Sequence, residues 1–105
     1  MSDQPAFRLL FVCTGNTCRS PTAQVIAERA VSRRGWDGVE VRSAGVSAAP
    51  GAGASGGARG AAESHGLSLE EHRSTPLDTD LVAWASLILT MGPHHADVAE
   101  ALGGS

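Results

Sequence analysis

The stretch Cys13-Thr14-Gly15-Asn16-Thr17-Cys18-Arg19-Ser20-Pro21, directly behind the apolar run Phe7–Val12, limits what this chain can fold into more than any other feature. A nearly continuous apolar run is the pattern of a strand buried on both faces. Ser20 suits a helix N-cap, and Pro21 suits the first helical turn, where its missing N–H has no partner to lose. The chain must therefore pass from a buried strand into a helix through one short loop. A cysteine ends the strand and an arginine stands just before the helix. Such connections belong to parallel α/β sheets, whose ligands sit outside the carboxyl ends of the strands.

The rest of the chain repeats the alternation. Pro21–Arg34 reads as a helix, with Val25, Ile26, Ala30 and Val31 on one side, Glu28, Arg29, Arg33 and Arg34 elsewhere, and Gly35 at its C-terminal end. Val39–Ala44 alternates as a second strand ending at Gly45, and Pro50–Gly60 reads as a glycine-rich surface loop. A short helix is predicted near Ala58–His65 with Gly66 behind it, and another over Thr79–Trp84, prepared by Thr75-Pro76 and Asp78. Ser86–Met91 is the third strand and Pro93–Leu102 the last helix. Strands alternating with helices predict an α/β parallel sheet with crossovers on both faces. A length of 105 residues sets residues 1–105 as a single domain.

The loop's composition points to an anion. Successive N–H groups from Thr14 to Arg19 can form a nest, and the N-terminus of the following helix adds its dipole. The same positive field favours a thiolate at Cys13. Ser20 can donate a hydrogen bond to that sulfur. Arg19 can hold two oxygens of a tetrahedral oxyanion in its planar fork. Gly15 permits a positive φ within the nest, and Asn16 tolerates one. A net charge of −3 gives no reason to expect nucleic acid, so anion recognition must be local. The acidic N-terminus and short apolar run predict no membrane partner and a cytoplasmic location. Two cysteines this close in sequence are no secreted disulfide scaffold. Cys13 and Cys18 with His65, His72, His94 or His95 lack the paired spacing of a zinc site, so no metal is expected. His94 and His95 read as solvent-facing residues at a helix start.

Order and spacing of strand, C-x5-R loop and helix, together with Arg42-Ser43-Ala44-Gly45 on the second strand, resemble the low-molecular-weight protein tyrosine phosphatases. The similarity runs on to Leu87-Ile88-Leu89-Thr90-Met91. It implies a flavodoxin-like three-layer sandwich, no cofactor, and hydrolysis of phosphotyrosine or phosphoarginine on a protein substrate through a cysteinyl-phosphate. Inorganic phosphate is the implied product and ligand. By the same resemblance Cys13 is the nucleophile, Arg19 the phosphate clamp and Ser20 the thiolate stabiliser. Thr14, Gly15, Asn16, Thr17, Cys18 and Arg19 form the phosphate-binding loop. Asn16 supports that loop by reaching the second strand, with Ser43 as partner, and Cys18 forms a reversible disulfide with Cys13. Thr17 resembles the bacterial protein arginine phosphatases, where many tyrosine-directed members carry a bulky branched residue.

The chain departs from the family pattern in one respect. No Asp-Pro pair occurs in it, so the family's general acid has no counterpart, and Asp78, Asp80 and Asp97 lack the context for that role. The expectation is an incomplete member, without the last strand and helix. Three rival readings stay open: an arsenate reductase-like protein, a non-catalytic phosphate-binding relic, and a phosphocarrier.

Overall fold

A computed structural model of the protein describes residues 7–103. In chain order the elements are β1 (Phe7–Cys13), α1 (Arg19–Arg33), β2 (Val39–Gly45), α2 (Gly56–Ser64), α3 (Thr79–Trp84), β3 (Leu87–Thr90) and α4 (Pro93–Ala101). The three strands form one parallel sheet in the order β2-β1-β3. β1 is thus central, and its carboxyl end, Cys13, opposite Gly45, lies at the middle of the sheet's edge.

Pairing register assigns the faces. Leu10, Val12 and Ala44 share one face and pack with Leu77, Leu81, Trp84, Ala85 and Ile88, so α3 covers this side. Leu10 and Val12 are wholly buried, each contributing about 1.5–3 kcal/mol by leaving water. Arg42 lies on the same face, its guanidinium 4.4 Å from the Trp84 ring centroid. On the opposite face Ser43 Oγ donates to Gln24 Oε1 at 2.6 Å, which ties β2 to α1. Leu87 and Leu89, on the outer strand, remain partly exposed on that face.

α1 begins at Arg19, two residues before the predicted start, and Gly35 follows its end with φ 67°. Its N-cap is Cys18, not Ser20. The hydroxyl of Ser20 faces inward instead, into the buried cluster described below. The glycine-rich stretch is also shorter as a loop than its composition suggests. α2 starts at Gly56, capped by Ser55 Oγ, which accepts from Ala58 N at 3.2 Å. Gly56, Gly57 and Gly60 weaken a helix. They are carried here because Ala54, Ala58 and Ala62 recur at helical spacing and bury against Leu69, with Val25 of α1 and Leu67 packed alongside. α3 matches its predicted span, with Asp78 Oδ1 accepting from Leu81 N at 2.8 Å.

Candidate active site

The loop behind Cys13 is held from outside through its carbonyls. Cys13 O accepts from Val46 N at 2.9 Å, Thr14 O from Ser47 N at 2.9 Å, and Thr17 O from Ser55 N at 2.7 Å. Asn16 O accepts from His72 Nε2 at 2.6 Å. Cys18 O accepts from Thr22 N at 3.2 Å and Thr22 Oγ1 at 2.7 Å. Across a trans peptide the N–H points opposite to the C=O. With those carbonyls turned outward, the N–H groups of Thr14, Gly15, Thr17, Cys18 and Arg19 are turned to the inner side. They form a concave array of donors at the N-terminus of α1. Cys18 supplies no side-chain cap, so the positive end of α1 faces the same space.

Asn16 makes the turn. Its φ of 56° is left-handed, and no other non-glycine described residue has a positive φ. Gly15, where sequence reasoning allowed one, does not have it. Asn16 N donates to Cys13 Sγ at 3.2 Å, and Asn16 Oδ1 accepts from Thr75 N at 2.8 Å. The amide nitrogen Nδ2 donates to Ser20 Oγ and to Ser43 Oγ, both at 2.9 Å. Asn16 and Ser20 are fully buried, Cys13 nearly so. A buried polar residue is tolerated only when its hydrogen bonds are made, and Asn16 uses both ends of its amide and both backbone polar groups.

Gly45, paired with Cys13, allows the loop to sit this close. A Cβ there would stand 2.5 Å from Thr14 O and 2.9 Å from both Ala48 Cβ and Asn16 N. Gly45 cannot retreat, because its N–H donates to Thr75 O at 2.9 Å and its carbonyl accepts from Leu77 N at 2.8 Å.

Arg19 and Cys18 are exposed, and Thr17 is half-buried. Arg19 Nη1 donates to Met91 O at 3.5 Å, a long bond that tethers the guanidinium beside the end of β3. Both cysteines are free thiols. Asp78 is engaged as the cap of α3, while Asp80 and Asp97 are exposed.

Two histidines at the loop were not foreseen. His72 anchors Asn16 as described. His95, expected to face solvent, is only 5% exposed, and its Nε2 lies 2.9 Å from Thr14 Oγ1. Burial above all, then the Arg19 guanidinium and His94, push the His95 pKa down from its ordinary value and favour the neutral ring.

The chain that carries this buried sulfur, its ring of inward N–H groups and the rim arginine is similar to known proteins. Residues 8–105 match the family described as low molecular weight phosphotyrosine protein phosphatase. The chain belongs to this phosphatase family. A protein-arginine-phosphatase of Geobacillus stearothermophilus is 44% identical over 92 residues, covering 88% of this chain and 59% of that relative. The low molecular weight protein-tyrosine-phosphatase Wzb of Salmonella typhimurium is 38% identical over 101 residues, covering 92% and 64%. Among solved structures, a cysteine-to-serine mutant of the YwlE arginine phosphatase with a phosphorylated active site serine superposes with a TM-score of 0.86. It is 39% identical, and the match covers 92% of this chain and 63% of that one. The flavodoxin-like α/β sandwich of this phosphatase family is thus the fold of the chain. This family member spans about three-fifths of the length of such relatives.

Proposed function

We propose that this chain carries a protein phosphatase site in which Cys13 is the nucleophile. The observation that supports this most is the outward anchoring of the loop carbonyls around Cys13 Sγ. It fixes donors in advance where charge develops on a phosphoryl group in flight. Cys13 Sγ attacks phosphorus, forming an S–P bond as the bond to the leaving group breaks and its electron pair departs with that group. Arg19 and the inward N–H groups hold the equatorial oxygens. Water then attacks phosphorus, releasing inorganic phosphate and the Cys13 thiolate, to which Ser20 Oγ donates. The phosphorylated active-site serine reported for the YwlE mutant supports a covalent intermediate at this position.

Phosphoarginine is the substrate favoured over phosphotyrosine. Thr17 leaves room at the mouth for a planar guanidinium and can bond to it, and the strand-end segment Ser47-Ala48-Ala49 supplies no aromatic wall. The arginine-directed relative at 44% identity is consistent with this choice. The Cys13–Cys18 disulfide is part of the same proposal, as protection of the nucleophile against oxidation beyond the reversible stage.

Rapid mixing with an aryl phosphate whose leaving group needs no proton tests the chemistry, with Cys13→Ser as blank. A stoichiometric burst absent from the variant supports the assignment; no burst from a folded chain overturns it. Substrate class is read by comparing kcat/KM for a phosphoarginine and a phosphotyrosine peptide. Thr17→Ile should move the ratio toward phosphotyrosine, and an unchanged ratio refutes the role given to Thr17.

A further inference from the structure

His95 stands outside the loop and makes no part of the mechanism above, yet it is the side chain that holds Thr14, the residue next to Cys13. We propose that His95 is a positioning residue for the oxyanion loop, fixing Thr14 through Nε2 and taking up a proton from solvent when the loop binds a tetrahedral dianion. The inference rests on the phosphatase reading of the loop.

Thr14 O is pinned by Ser47 N at 2.9 Å, and Thr14 Oγ1 by His95 Nε2 at 2.9 Å. Together these contacts fix both the peptide plane and the side chain of the residue behind the nucleophile. His95 is itself fixed by the first turn of α4, where its N–H donates to Gly92 O at 3.1 Å. Its other ring nitrogen, Nδ1, is buried and has no hydrogen-bond partner among the described residues. A buried histidine nitrogen without a partner is uncommon, because burial without a hydrogen bond is costly.

The tautomer decides what that nitrogen can do. With the proton on Nε2, the ring donates to Thr14 Oγ1 and Nδ1 keeps a bare lone pair. Protonating Nδ1 then charges the ring without breaking the bond to Thr14. In the unliganded loop this is opposed by burial, by the Arg19 guanidinium at the start of α1, and by His94 on α4. A dianion in the loop pairs with Arg19, which weakens that repulsion, and adds an attraction of its own for a charged ring. Linkage makes the effect reciprocal: an anion that raises proton affinity at His95 binds more tightly as pH falls.

Sulfate is the suitable probe, since it is a tetrahedral dianion that does not titrate between pH 5 and 8. The ring protons of His95 are followed by NMR across this range with and without sulfate, on the reduced full chain. The midpoint is expected to rise by about 1 pH unit when sulfate binds. His95→Gln keeps a donor near the place of Nε2 but cannot titrate. It should keep a burst rate within roughly twofold of wild type and lose the pH dependence of sulfate affinity, whereas His95→Ala should burst roughly tenfold more slowly. If sulfate shifts the loop amides but leaves the His95 midpoint unmoved, the proposal is wrong while the phosphatase reading stands. The same holds if His95→Ala bursts like wild type. Sulfate that shifts no loop amide in a folded chain overturns both. Should His95→Ala fail to fold, the wild-type titration and His95→Gln still decide.

Discussion

Ser20 Oγ stands 2.8 Å from Cys13 Sγ, with both side chains buried. Asn16 Nδ2 donates to the same oxygen at 2.9 Å, and toward a Cys13 thiolate, which can only accept, the hydroxyl's own proton points at sulfur. A hydroxyl oriented this way stabilises the thiolate both before attack and as a leaving group. Ser20→Ala is therefore expected to slow the burst and the breakdown of the phosphoenzyme. A hydrogen bond to a charged group is worth about 1.5–3 kcal/mol, or roughly 10–100-fold in rate. Rapid mixing checks this; equal slowing of both phases is the expected signature, and an unaffected second phase counts against it.

Asn16 combines backbone strain with hydrogen bonding, and two substitutions separate them. Asn16→Gly accepts the φ of 56° but loses the bonds to Ser20, Ser43 and Thr75 N. Asn16→Ala loses the same bonds and must also hold a left-handed backbone, at a further ~1–2 kcal/mol. Urea unfolding should rank wild type above Asn16→Gly above Asn16→Ala. Equal stability of the two variants would show that the loop relaxes its backbone once the amide is gone.

Gly45→Ala tests the close approach between β2 and the loop. Its Cβ would meet Thr14 O at 2.5 Å, while Gly45 is bonded on both sides to Thr75 and Leu77 and has nowhere to move. The loop must give way, at about 1–3 kcal/mol of overpacking. We expect lower stability and sulfate binding weakened beyond what the loss of stability explains, measured by amide shifts at Thr14 and Gly15. Wild-type sulfate affinity in this variant would show that the loop tolerates the displacement.

The part of the site that is contiguous in sequence is readable from residue types. Phe7–Cys13, the loop and α1 follow each other so directly that strand period, Pro21 and Arg19 suffice to place them. The contact of Ser20 with the Cys13 sulfur is legible from the loop, but its reading as a helix cap is not what the structure has: Ser-Pro is a good helix opening, and nothing local reveals that Asn16 claims the hydroxyl. α2 begins at Gly56, ahead of the predicted Ala58: the glycines outweigh, by propensity, an alanine spacing whose value depends on Leu69 arriving from another segment. His72 and His95 act on residues 56 and 81 positions away, distances over which no periodicity carries. One signal for His72 was present: it stands just before the Ser74–Leu77 segment, which bridges to Gly45 and so has to pass the loop.

His95 also makes stability depend on pH, and the direction follows from its environment. The ring is held below the ordinary value of 6.5 by burial first, then by Arg19 and His94. As pH falls through 6.5 the unfolded chain takes up a proton that the folded chain still refuses. The unfolded state then binds more protons, so folding stability decreases with falling pH until the depressed midpoint of the folded ring is passed. Above 6.5 both states are neutral and the contribution is complete. In sulfate-free buffer, the urea midpoint of wild type should therefore drop between pH 7.5 and pH 5.5 more steeply than that of His95→Gln, whose side chain does not titrate. Carboxylates contribute alike to both proteins, so the difference between the two curves isolates His95. A difference of the opposite sign would mean that the folded chain stabilises the imidazolium, and His95 would then be charged before any anion arrives.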